Sequence, residues 1–130
     1  MMGHQASSIA DCRVLIVEDE YFLGDDLARE LEAYGVQVIG PDHELTEAMS
    51  RNYDDYDIAI LDINLRGRST YPIADEFVRI GKPFIFATGY SAQVIPDRYR
   101  NIPLWEKPYD AAELAAKVAD LCLAPLAPTC

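Results

Sequence analysis

Four short segments of this 130-residue chain carry residues that could do chemistry together. They are Glu18-Asp19-Glu20, Asp62, Thr88-Gly89 and Glu106-Lys107-Pro108, and each follows a short, largely apolar run. Carboxylates brought close together repel, and each raises the cost of ionising its neighbours. A hard divalent cation relieves that cost, and Mg²⁺ prefers one or two carboxylates with waters and phosphate oxygens. A lysine adds a compensating charge with no acceptor capacity. The Thr88 hydroxyl can donate to a phosphoryl oxygen, and Gly89 beside it leaves room for that group. A carboxylate in this setting can act as a nucleophile and carry a phosphoryl group as an acyl phosphate. The cation and Lys107 would then stabilise charge on the equatorial oxygens during transfer.

These residues need a scaffold that gathers them. The runs 14–17, 58–61 and 84–87 are continuously apolar, as expected for strands buried on both faces. Residues 36–39 read as a second strand closed by Gly40-Pro41. Residues 102–105 read as a fifth, with Pro103 arguing for an edge position. Between them run helical periods. Leu23, Leu27, Leu31 and Tyr34 share one face, with Gly35 as the stop. Asp42 is placed to cap a short helix carrying Leu45, Ala48 and Met49. Pro72 opens a third helix, with Ile73, Phe77 and Ile80 inward and Gly81 at its end. Pro96 interrupts residues 91–101, so the fourth helix is expected to be short or irregular. Asp110-x-x-Glu113 resembles a capping box for the last helix, whose buried face would be Ala111, Leu114, Ala115, Val118, Leu121 and Cys122.

Strands alternating with helices imply an α/β fold with a parallel sheet covered on both sides. Right-handed crossovers in a chain this short favour a flavodoxin-like, doubly wound five-stranded sheet of order 2-1-3-4-5. Ligands of such sheets bind beyond the carboxyl ends of the strands, where all four segments lie. One domain, residues 12–123, is expected between mobile tails at 1–11 and 124–130.

Twenty-two Asp and Glu against eleven Lys and Arg give a net charge of −11. Phosphate backbones and anionic membranes would repel such a chain, which excludes non-specific nucleic-acid binding. No apolar run approaches the ~20 residues that span a bilayer. The N-terminus lacks the apolar stretch of a signal peptide. Cys12, Cys122 and Cys130 form no CxxC and are odd in number, which argues against a disulfide framework and for a reducing cytoplasm. His4 and His43 have no ligand partner at metal-binding spacing and read as solvated surface residues. Glu20 reads as a helix N-terminal residue favouring the dipole rather than as a ligand. Asp25, Asp26, Glu30 and Glu32 read as a solvated helix face. Trp105 and Tyr109 read as sheet-edge packing.

Val17-Glu18-Asp19, Leu61-Asp62-Ile63-Asn64, Ala87-Thr88-Gly89 and Glu106-Lys107-Pro108 together resemble the motifs of the receiver domain of bacterial response regulators. The resemblance runs over residues 13–123. It implies that Asp62 is the phosphoacceptor, Asp19 a direct Mg²⁺ ligand and Glu18 an acid acting through a water. The backbone carbonyl of Asn64 would be a further ligand. Thr88 would be the switch hydroxyl and Lys107 the lysine that pairs with the phosphoryl group. Pro108 would follow a cis peptide bond. The resemblance also implies a histidine kinase or histidine phosphotransfer protein as donor, and output by protein contact or phosphorelay from a stand-alone domain. Phe86-Ala87-Thr88-Gly89-Tyr90-Ser91, together with the loop 64–72, is similar to the FATGUY subclass, often single-domain regulators of stress signalling. Where most receivers place an aromatic switch residue, three positions before the lysine, this chain has Leu104. Tyr90 is the substitute candidate. Where many carry a proline four residues after the phosphoacceptor it has Arg66, which with Arg68 could line the mouth of the site.

Two other functions fit parts of the pattern. A Mg²⁺-dependent phosphatase with an aspartyl nucleophile would want a second acid two residues after Asp62, where Asn64 stands. A pseudo-receiver that binds partners without phosphorylation is opposed by the intact set of Asp19, Asp62, Thr88 and Lys107.

Overall fold

The central strands must bury both of their faces, because successive side chains point to opposite sides and helices cover each side. The computed structural model describes residues 9–89 and 95–123. In it β1 (Arg13–Val17), β2 (Gln37–Asp42), β3 (Ile58–Asp62), β4 (Phe84–Thr88) and β5 (Leu104–Glu106) pair in parallel, in the order β2-β1-β3-β4-β5. A separate antiparallel hairpin joins Asn64–Leu65 to Arg68–Ser69. Among the described residues there are four α-helices: α1 (Tyr21–Ala33), α2 (Leu45–Ser50), α3 (Tyr71–Ile80) and α4 (Ala111–Leu123). This is the expected flavodoxin-like sheet, with β2 and β5 at its edges.

The alternation along β1 sorts the core into two layers. Leu15 and Val17 face Ala59, Leu61, Phe84 and Phe86, over α2 and α3. Val14 and Ile16 face Ile58, Ile60 and Ile85, over α1 and α4. Leu27 and Leu31 of α1 and Leu114 and Val118 of α4 are fully buried there. Each such burial contributes about 1.5–3 kcal/mol. Gly81 ends α3 in the left-handed conformation at φ 77°, as its position predicts.

Several boundaries differ from the sequence reading. β2 does not close at Gly40-Pro41 but continues through a cis Gly40–Pro41 bond to Asp42. Gly40 has φ +89°, and a Cβ there would lie 2.7 Å from the Asp42 nitrogen and 2.8 Å from the Ile16 carbonyl oxygen. No side chain fits between these backbones. Asp42 does not cap α2; its buried carboxylate takes Arg51 Nε at 2.6 Å and Nη2 at 2.7 Å. Glu44 caps α2 instead, in a reciprocal capping box with Glu47. Tyr34, Met49 and Ile80, expected inward, are exposed: Tyr34 is the C-cap of α1, and Met49 and Ile80 fall in the last turns of α2 and α3. Ala111 and Leu121 are half-buried, and Ala119 takes a core place on α4. β5 starts at Leu104 rather than 102. Pro103 lies before it and offers its carbonyl to the Phe86 amide at 2.9 Å.

In the interrupted segment, Asp97–Tyr99 forms a 3-10 turn, and residues 90–94 lie outside the described residues. Tyr99 in that turn is 1 % exposed, with ring centroids 5.2 Å from those of Phe86 and Tyr71. Ile9–Asp11, assigned by sequence to the N-terminal tail, forms a 3-10 turn whose Ile9 packs on the α1–α4 layer. The remaining expected tail residues lie outside the described residues.

The largest correction concerns the cysteines. Cys12 and Cys122 form a disulfide, with Cα atoms 5.8 Å apart and a separation of 110 positions in sequence. No local spacing announces it. The winding of the chain sets the start of β1 against the last turn of α4.

Candidate functional site

β1, β3 and β4 are neighbours in the sheet, so residues just past their carboxyl ends converge. β1 is followed by Glu18, Asp19 and Glu20; β3 ends in Asp62; β4 ends in Thr88. β5 brings Lys107, whose amide donates to the Thr88 carbonyl at 2.7 Å. Asp19, Glu20, Asp62, Asn64, Arg66, Gly67, Gly89 and Lys107 line one cleft of about 410 Å³.

The Lys107 ammonium is the hub. It donates to Glu18 Oε2 at 2.7 Å, to Glu20 Oε2 at 2.8 Å and to Asp62 Oδ2 at 2.9 Å. Burial alone would lower its pKa, but these three carboxylates outweigh burial and hold it charged well above the ordinary lysine range. A cis peptide bond joins Lys107 to Pro108, as the resemblance implied.

Glu18 is 2 % exposed and also accepts the Glu20 amide at 3.0 Å. Burial pushes its pKa up to about 8; the Lys107 bond opposes this and the Asp62 charge adds to it. Asp62, 4 % exposed, is likewise raised by burial and opposed by Lys107. Its Oδ1 accepts the Asn64 amide at 3.2 Å. The two buried acids therefore share one lysine and resist full ionisation. That is the condition a cation relieves.

Asp19 is held differently. Its Oδ2 accepts the Arg66 amide at 2.9 Å, which ties the first acidic segment to the hairpin after β3. Arg66 sits at φ 51°, and its guanidinium meets the Tyr21 hydroxyl at 3.2 Å. Asn64 Oδ1 closes the same turn on the Gly67 amide at 2.7 Å. Of the two loop arginines, both exposed, Arg66 lines the cleft and Arg68 is not among the lining residues.

A divalent cation fits this donor set. Glu18 and Asp19 present carboxylate oxygens within 4.8 Å of each other and of Glu20, whose own exposed carboxylate is taken by Lys107. Asp62 and Asn64 line the same cleft, and all donors are hard oxygens.

The sequence assigned Glu18, Asp19, Asp62, Asn64, Gly89 and Lys107 to one place, and the fold brings them there. Thr88 is 2 % exposed at the end of β4 beside them. Tyr90 lies outside the described residues. Glu20 was missed: it binds Lys107 rather than merely facing the helix dipole. Nothing in its spacing separates the two roles, since the partner is 87 residues away. His43 is not a free surface group. Its Nδ1 meets the Glu18 carbonyl at 2.7 Å, and its ring lies 3.9 Å from that of Tyr21. His4 lies outside the described residues. Trp105 and Tyr109 pack on the α1–α4 layer, as expected.

No family model matches the chain, and no curated protein matches it. Solved structures do. SdrG from Sphingomonas melonis Fr1 is 33% identical, over 86% of this chain and 95% of SdrG, with a TM-score of 0.70. The BeF3-activated conformation of SdrG, from Pseudomonas melonis Fr1, is 34% identical over 91% and 99% of the two chains, with a TM-score of 0.69. The non-phosphorylated HemR receiver domain of Leptospira biflexa is 24% identical over 92% and 99%, at a TM-score of 0.75. A CheY-like response regulator receiver domain protein from Methanospirillum hungatei JF-1 is 22% identical over 85% and 93%, at 0.72.

Proposed function

The chain belongs to the receiver domains of response regulators, and we propose that it accepts a phosphoryl group onto Asp62 in a Mg²⁺-dependent reaction. The observation that carries this reading is the Lys107 ammonium held between two buried carboxylates, Glu18 and Asp62, at the ends of adjacent strands. Glu18, Asp19, Asp62 and the backbone carbonyl of Asn64 would hold the cation, with Glu18 acting through a water. When bound, the cation neutralises charge on phosphoryl oxygens.

The chain's own residues do the rest. Lys107 keeps one Asp62 oxygen in place and offers a donor to the transferred group. The Asn64 amide fixes the other Asp62 oxygen. A carboxylate oxygen of Asp62 forms a bond to phosphorus as the N–P bond of a donor phosphohistidine breaks, and the imidazole departs with the electron pair. The Thr88 hydroxyl then donates to a phosphoryl oxygen, which favours one of two conformations already in equilibrium.

The donor in this reading is a sensor histidine kinase or a histidine phosphotransfer protein in the cytoplasm. Output passes by protein contact or phosphorelay. Membership of the FATGUY subclass is supported by Phe86, Ala87, Thr88 and Gly89 standing at the end of β4 and by the hairpin 64–69. In such a site Tyr90, two residues after Thr88, would stand in for the aromatic absent at Leu104. Among the described residues no helix is long and apolar enough to cross a membrane.

The test is incubation with Mg²⁺ and a small acyl phosphate, followed by intact-mass measurement. One phosphoryl group should add to the wild type and none to Asp62→Asn. Equal incorporation by the variant would end the proposal.

A further inference from the structure

We propose that Glu20 gates the phosphoryl subsite by holding the one Lys107 hydrogen that a phosphoryl oxygen must take. This rests on Asp62 being the phosphoacceptor. An ammonium has three hydrogens. In this structure three carboxylates meet it, at 2.7 Å (Glu18), 2.8 Å (Glu20) and 2.9 Å (Asp62). No donor is left over, so a phosphoryl oxygen can reach Lys107 only by displacing a carboxylate.

The three differ in what displacement costs. The Glu18 side chain is 3 % exposed, and a buried carboxylate that lost its lysine would have no water to replace it. Asp62 is 5 % exposed, and it releases its hydrogen only as its own bond to phosphorus forms, after the donor has entered. The Glu20 side chain is 61 % exposed and regains hydration as soon as it swings out. Glu20 is therefore the carboxylate that yields. Until it does, its charge also stands in the cleft on the approach of an anionic donor, where like charges repel. Its own amide stays on Glu18 while the side chain moves, so opening requires no change in the backbone.

The gate predicts faster loading once it is removed. The full chain and its Glu20→Ala and Glu20→Gln variants are to be compared with acetyl phosphate as donor at saturating Mg²⁺. Glu20→Ala should take up the phosphoryl group faster by up to about fivefold, the most an exposed ion pair commands. Beryllofluoride should half-saturate it at a correspondingly lower concentration, and the gap to wild type should narrow as salt rises. Glu20→Gln, which keeps an acceptor but not the charge, should fall between. The Mg²⁺ concentration for half-maximal loading should not move. An uptake rate in Glu20→Ala equal to or below wild type overturns the gate. So does a raised Mg²⁺ requirement, which would make Glu20 a metal ligand instead. If the wild type itself takes up no phosphoryl group, the phosphoacceptor reading fails first and the gate falls with it.

Discussion

The Thr70 hydroxyl donates to the backbone carbonyl of Asp62 at 2.7 Å, eight residues back along the chain and wholly out of contact with solvent. Thr70 occupies the N-cap position of α3, yet its side chain makes no capping bond. Its hydroxyl faces the end of β3 instead, with the Ile63 carbonyl as a second acceptor at 3.2 Å. Its amide also donates to Ile63, at 2.9 Å. A helix start thus gives up its usual cap to fix the strand end that bears the acceptor carboxylate.

Replacing Thr70 should therefore cost more than a lost surface cap. Thr70→Ala leaves the buried Asp62 carbonyl without this donor and should destabilise the fold by about 1–3 kcal/mol. Urea denaturation reads this as a lower midpoint at unchanged slope. Thr70→Ser keeps the hydroxyl and should recover most of the loss. A Ser variant as unstable as the Ala variant would mean that the methyl group, not the hydrogen bond, matters there.

Lys107 is expected to be irreplaceable for loading. Lys107→Met removes the donor shared by Glu18 and Asp62 and should slow phosphoryl uptake by about a hundredfold or more. Lys107→Arg keeps the charge but places a planar fork where a compact ammonium reaches three carboxylates, so it should not restore the rate. Quenched time courses of uptake measure both. A rate near wild type in Lys107→Met would remove Lys107 from the transfer step.

The Cys12–Cys122 disulfide closes a loop of nearly the whole described chain. Reducing it should lower stability by about 2–4 kcal/mol through the freed entropy of the unfolded chain. Thermal melts with and without a thiol reductant read the difference. A Cys12→Ser, Cys122→Ser double variant should melt like the reduced protein and ignore the reductant. Coincident melts of the oxidised and reduced wild type would show that the bridge adds nothing.

Acid should weaken the start of β1. Burial pushes the Asp57 carboxyl up, but the hydrogen bonds from the Arg13 amide, Nε and Nη2 outweigh it and hold the group below the ordinary aspartate range. A depressed folded pKa stabilises fully above the unfolded value of about 3.9 and is lost as pH falls through the folded value. The melting temperature should therefore drop as pH is lowered below about 4, and Asp57→Asn should flatten that dependence. Parallel profiles for the two proteins would sink the assignment.

The sequence by itself determined the strands and the ends from which the chemistry projects. Continuous apolar runs such as 58–61 can be satisfied only between two layers of helix, and residues following parallel strands can only gather at one edge of the sheet. Asp19, Asp62 and Lys107 were legible for that reason. Where the reading failed, the deciding contact was distant in sequence or set by backbone detail. Asp42 looked like a helix cap until β2 ran on through Gly40 and buried it against Arg51. Tyr99 looked like part of a weak loop until the turn carried its ring onto Phe86. Cys12 and Cys122 carry no local signal of pairing. Glu20 and Lys107 are the sharpest case. Helix periodicity assigns Glu20 to the first turn of α1, but only the packing of β5 across the sheet puts a lysine within 2.8 Å of it. Local patterns fix which face a residue occupies; which distant charge meets it there is settled when the layers close.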